Sequence, residues 1–155
     1  FSLIPNLQRL RMSSIDVAEI DDELFSLFAH NPKIMPHFHI SLQAGDNMIL
    51  KRMKRRHNRE QIVEFCNKLR ALRPEVSFGA DIIAGFPTET DEMFEEMFEF
   101  ARKCSFSEMH VFPYSRRSGT KAALIKGQIN GIIKSLRVNR LIQLNEELAS
   151  NYINT

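Results

Sequence analysis

The chain has 155 residues, 43% hydrophobic and 26% charged, with a formal net charge of +2 at pH 7. That length supports one ordinary domain with a real core, is too short for a complete eight-stranded barrel of typical size, and comes with the composition of a soluble globular protein. No apolar run reaches the roughly 20 residues that cross a bilayer, and the amino-terminal FSLIPNLQRLRM lacks a secretory signal pattern, so neither anchoring nor export is expected.

Two cysteines, Cys66 and Cys104, fall at helical positions, which fits a reducing cytoplasm. The first residue is Phe1, not Met, as expected of an internal piece of a longer chain.

Leu7 to Ile15 alternates Leu10 and Met12 with Arg9, Arg11 and Ser13, which predicts a first strand. Ile20 to Phe28 predicts a helix, with Asp21, Asp22 and Glu23 at the end where the helix dipole favours negative charge. The Asn31-Pro32 and Met35-Pro36 steps interrupt the chain before a second strand, His37 to Gln43. On it Phe38, Ile40 and Leu42 face one side, and His37, His39, Ser41 and Gln43 the other. Two histidines at i and i+2 with no carboxylate or Cys nearby in sequence do not make a metal site, so no metal is assigned.

Gly45-Asp46 turns into a short helix carrying Ile49, Leu50 and Met53 inward. Outward it shows Lys51, Arg52, Lys54, Arg55 and Arg56, with Arg59 following. Such a cluster is either a solvated face or a phosphate-binding patch. The next helix has Asn58 as its cap, Gln61 at capping-box spacing, and Ile62, Phe65, Cys66, Leu69 and Leu72 as its apolar stripe.

Ser77 to Met97 organises the chain. Phe78, Ala80, Ile82 and Ala84 alternate with Gly79, Asp81, Ile83 and Gly85, a strand that puts Asp81 on one face. Phe86-Pro87 must be loop, Thr88 or Thr90 caps a helix, and Met93, Phe94, Met97 and Ala101 share its buried side. Gly85 at the strand's carboxyl end has room for the close approach of a ligand. A fourth strand is expected over Met109 to Ser115, then a polar loop from Arg116 to Thr120 and an amphipathic helix from Asn130 to Tyr152. Its apolar face is read as Ile132, Ile133, Leu136, Leu141 or Ile142, Leu144 and Leu148, and Gly127 to Gly131 as a hinge before it.

This order predicts an α/β fold with parallel strands. Ligands of such sheets sit beyond the carboxyl ends of the strands, where Ser13, Ser14, Gln43, Gly85, Tyr114 and Ser115 fall.

Taken together, HFHISLQAGDNMILKRMKRRHNREQ, ADIIAGFPTETDEMFEE and HVFPYSRRSGTKAA resemble the radical SAM methylthiotransferases, most closely the branch acting on threonylcarbamoyladenosine in tRNA. The resemblance implies a partial parallel (β/α) barrel, about four βα units, over residues 1–127, with residues 128–155 a helix leading toward an RNA-binding domain. It implies S-adenosylmethionine and a [4Fe-4S] cluster as cofactors and tRNA as partner. Carried over residue by residue, it implies that Ser41, Gln43, Arg52, Asp81, Gly85, Phe86 and Tyr114 bind S-adenosylmethionine. Lys51, Lys54, Arg55, Arg56, Arg59 and Arg117 are the expected RNA contacts; no catalytic residue is assigned. Ala44 stands where the family has Ser, and Arg116 and Ser118 where it has Pro.

The family's CxxxCxxC cluster motif does not occur in this chain. Two expectations compete: an incomplete enzyme, or a non-enzymatic piece that depends on association with a partner. Strands cut from a larger barrel leave open edges, so self-association is also expected.

Overall fold

The protein is described by a computed structural model in which residues 3–154 are placed. Its strands are β1 (Leu10–Ile15), β2 (Ile34–Gln43), β3 (Ser77–Ala84) and β4 (Glu108–Pro113). Its helices are α1 (Asp22–His30), α2 (Asn47–Arg52), α3 (Arg59–Leu72), α4 (Asp91–Cys104) and α5 (Gly131–Ile153). The strands form one sheet in the order β1-β2-β3-β4, every pair parallel. Sequential parallel strands joined by helical crossovers are the arrangement of a partial (β/α) barrel.

Local sequence sets the helix starts. Asp21, Asp46, Asn58, Thr90 and Asn130 each accept a backbone N–H of the first turn, and Asn58 with Gln61 completes a reciprocal capping box. One face of the sheet is the core: Phe38, Ile40 and Leu42 of β2 and Phe78, Ala80 and Ile82 of β3 are fully or almost fully buried under the helices. The odd-numbered residues of β2 and β3 take the opposite, polar face. Among the described residues no helix is long and apolar enough to cross a membrane.

Several boundaries differ from expectation. β1 begins at Leu10 instead of Leu7, and β4 ends at Pro113. The Met35-Pro36 step does not interrupt the chain but lies inside β2. It is tolerated because the β1–β2 register slips between the Leu10↔Ile34 and Met12↔Phe38 pairs, while β3 pairing starts only at His37. At the expected hinge, the Gly127 carbonyl accepts the Thr88 N–H at 2.9 Å. On α5 the buried residues are Arg137, Leu141, Leu144 and Leu148, whereas Ile132 and Leu136 are mostly exposed. A buried arginine marks that face, which apolar periodicity alone misses.

Candidate functional site

Beyond the carboxyl ends of the strands lies an open cleft of about 580 Å³. Gln43, Asp81, Tyr114, Ser115, Arg117 and Thr120 supply its polar lining, and Ile83 and Phe112 its apolar wall. β2 delivers Gln43 in a left-handed conformation (φ 75°). β4 delivers Tyr114, whose N–H still bonds the Ala84 carbonyl at 2.8 Å. The Tyr114 hydroxyl is buried and has no hydrogen-bond partner among the described residues.

Of the residues expected to bind S-adenosylmethionine, the cleft brings Gln43, Asp81 and Tyr114 together, and Arg117 joins them. Ser41 is half-buried on β2, and its carbonyl accepts from Arg55 at 2.9 Å. Arg52 is not on the lining; it donates to the Thr88 hydroxyl at 2.6 Å. Phe86 is buried beside Ala44, Ile49 and Leu50 and meets the Tyr114 ring edge-on, centroids 5.3 Å apart. At Gly85 the structure shows a close approach by another part of the chain. The Gly85 φ is +76°, and a Cβ there would lie 2.1 Å from Cγ of Lys134, so the close approach is made by α5.

The cationic cluster is largely engaged by the fold. Arg55 reaches Ser41 and lies 3.7 Å from Asp16, and Arg56 pairs with Asp16 and Glu19. Arg59 pairs with Glu96 and Glu60. Lys51 and Lys54 are exposed, and their side chains make no hydrogen bond or ion pair among the described residues.

The polar sheet face holds a group that sequence reasoning missed. His39 Nε2 lies 2.8 Å from Asp81 Oδ1, and His110 Nδ1 lies 3.4 Å from the same oxygen. Glu108 Oε1 lies 3.7 Å from His39 Nδ1 and 3.3 Å from His37 Nε2. The carboxylates that the local sequence around His37 and His39 lacks therefore come from β3 and β4. The Asp81↔His110 pairing produces this, and no local pattern reports it. Burial, then the nearby Arg11, holds His37 below the ordinary histidine range.

The residues present fit the two implied cofactors unequally. The cleft volume is within the range of small-molecule sites, and the unpartnered Tyr114 hydroxyl suits a polar ligand such as S-adenosylmethionine. Cys66 and Cys104 do not fit an iron–sulfur cluster. Both are fully buried between α3 and α4 on the core side of the sheet. The hydrogen bond with Cys104, and then burial, pushes the Cys66 thiol far above its ordinary range, whereas cluster ligation requires thiolates.

Residues 3–101 match the profile of the radical SAM superfamily. The chain is 61% identical over 148 residues to the threonylcarbamoyladenosine tRNA methylthiotransferase MtaB of Rickettsia prowazekii (strain Madrid E), covering 93% of this chain and 35% of that protein. It is 42% identical over 149 residues to the MtaB of Bacillus subtilis (strain 168), covering 96% of this chain and 33% of that one. With the tRNA-2-methylthio-N(6)-dimethylallyladenosine synthase of Rickettsia rickettsii (strain Sheila Smith) it shares 40% identity over 150 residues, 96% of this chain and 34% of that protein. The chain thus spans about a third of the length of these relatives. Among solved structures it resembles the coproporphyrinogen III oxidase HemN of Escherichia coli, described as a radical SAM enzyme, with a TM-score of 0.67 and 18% identity over 86% of this chain and 31% of that one. At that identity the likeness is one of fold.

Proposed function

The chain belongs to the radical SAM superfamily, and on that premise we propose that it is part of a methylthiotransferase acting on threonylcarbamoyladenosine in tRNA. The observation that carries this reading is the 61% identity with the MtaB of Rickettsia prowazekii, and the cleft, where Gln43, Tyr114 and Arg117 come from the ends of β2 and β4 and Asp81 from the polar face of β3, offers the binding site. When bound, S-adenosylmethionine supplies the methyl group and the radical chemistry of the superfamily. The Gln43 amide offers a donor and an acceptor to its ribose, the Tyr114 hydroxyl acquires the partner it lacks, and the Arg117 guanidinium suits its carboxylate. Ile83 and Phe112 give the adenine an apolar wall. Phe86 and Gly85 act through the residues they pack against, Tyr114 and Lys134.

Calorimetric titration of S-adenosylmethionine tests this assignment. Gln43→Ala and Tyr114→Phe should each weaken binding by about two- to tenfold, the range of one hydrogen bond of about 0.5–1.5 kcal/mol. Unchanged affinity in both variants removes the cleft as the binding site.

The packing of Cys66 against Cys104 favours a second reading, in which this stretch binds without turnover unless a partner segment supplies the cluster. No step through the cluster is assigned to this chain. The exposed Lys51 and Lys54 support contact with tRNA phosphates, and such a role belongs in the cytoplasm. The outer edges of β1 and β4, unpaired among the described residues, support self-association, for which sedimentation velocity is the direct measurement.

A further inference from the structure

We propose that His39, Asp81 and His110 form a binding site for a divalent transition-metal ion on the polar face of the sheet, independent of the cysteines and sharing Asp81 with the cleft. Three adjacent parallel strands each contribute one ligand, and the Asp81↔His110 pairing fixes two of them in register. Ligand atoms bonded at about 2.0–2.1 Å to a tetrahedral ion lie about 3.3 Å apart. The two separations from Asp81 Oδ1, 2.8 Å to His39 and 3.4 Å to His110, bracket that value. All three ligand atoms lie within 4.8 Å of one another.

The surroundings are built for the His39 ring. A Cβ on Gly79 would lie 2.6 Å from His39 Nδ1, so glycine there makes room for the imidazole. Glu108 Oε1 lies 3.7 Å behind that same nitrogen, close to the carboxylate–histidine–metal arrangement that orients ligating histidines. His39 thus faces a carboxylate with each nitrogen. A neutral imidazole has one N–H, so one lone pair must point at an anion unless a cation intervenes or the ring itself is charged. A metal at Nε2 removes that conflict: Nδ1–H then faces Glu108, and the lone pair at Nε2 faces the ion.

Two imidazoles and one carboxylate select borderline ions such as Zn²⁺, Co²⁺, Ni²⁺ or Fe²⁺ over Ca²⁺ and Mg²⁺, which prefer all-oxygen shells. Three protein ligands leave at least one position open. Because Asp81 also lines the cleft, that position is within reach of a molecule bound there.

The test is titration of the tag-free 155-residue chain with Co²⁺, followed by its visible absorption, and with Zn²⁺ by calorimetry. One equivalent should bind, giving a four- or five-coordinate cobalt band. His110→Ala, at a side chain more than half exposed and therefore removable without opening the core, should abolish the band, as should the isosteric Asp81→Asn. Glu108→Gln should weaken Zn²⁺ binding about 10- to 100-fold while keeping the stoichiometry. His30→Ala, on α1, should change nothing. A flat titration, or one equivalent that survives His110→Ala with circular dichroism unchanged, overturns the proposal and leaves a hydrogen-bonded His–Asp–His group.

Discussion

Arg137 of α5 donates to Glu89 of the β3–α4 loop twice, to Oε1 at 2.8 Å and to the backbone carbonyl at 3.1 Å. Both residues are buried, and the same Glu89 oxygen accepts the Gly85 N–H at 3.0 Å. One carboxylate thus fastens the last helix to the end of the central strand. Burial pushes the Glu89 carboxyl up, against the opposing pull of Gly85 and Arg137. Removing one partner of a buried pair leaves an uncompensated charge, so Arg137→Met should cost about 3–5 kcal/mol of unfolding free energy. Glu89→Gln combined with Arg137→Met should recover much of that, because the amide oxygen still accepts from Gly85. Urea unfolding of the single and double variants measures it, and a single-variant loss below about 1 kcal/mol would place the pair with weak surface bridges.

Gly85→Ala should destabilise the chain by about 1–3 kcal/mol, from the left-handed φ and from the clash with Lys134. Lys134→Ala should restore the part due to the clash and leave the part due to the backbone. Equal losses with and without Lys134, read from thermal unfolding, would mean that α5 yields freely there.

His57 lies buried between α2 and α3, its ring bonded through Nε2 to the Leu42 carbonyl at 3.1 Å, with Asp16 and Arg55 as its charged neighbours. Burial holds it below its ordinary value of 6.5, so the folded chain resists a proton that the unfolded chain accepts. Its contribution is complete above about pH 6.5 and is lost as pH falls toward the lower folded value. The urea midpoint should therefore drop between pH 7.5 and pH 5.5, and His57→Gln should flatten part of that drop. A His57→Gln profile parallel to the original would assign the slope to other groups.

If the basic segment binds RNA, the contacts should come from the side chains not already committed. Lys51→Ala and Lys54→Ala should each reduce the log–log salt slope of tRNA binding by about 0.9, the B-DNA value. Arg56→Ala and Arg59→Ala should change it less, since Asp16, Glu19 and Glu96 already face those guanidiniums. Slopes that respond equally to all four would show that the internal pairs open on binding.

Much of this architecture is legible in short stretches. The alternation of Phe78, Ala80 and Ile82 with Asp81 gives the central strand and its polar face, and Asn58 with Gln61 gives a helix start. Gln43 and Tyr114 reach the cleft because strand ends are local features whose common location follows from parallel order. What escapes is whatever depends on register between distant segments. Asp81 and His110 meet across a strand pair, Lys134 covers Gly85 from far along the chain, and Pro36 sits in a strand only because the neighbouring ladder slips at that point. Arg137 escapes because a charged residue reads as exposed until Glu89 is known to face it.

Lys134 does two things at once: its stem covers Gly85, and its ammonium donates to the Tyr114 carbonyl at 3.0 Å. Tyr114 in turn lines the cleft. A molecule that displaces the Tyr114 carbonyl on entering therefore disturbs a contact made by α5, and a displacement of α5 is felt at Tyr114. By thermodynamic reciprocity the two effects are equal in size, so whatever cleft occupancy does to the helix, the helix does to cleft affinity.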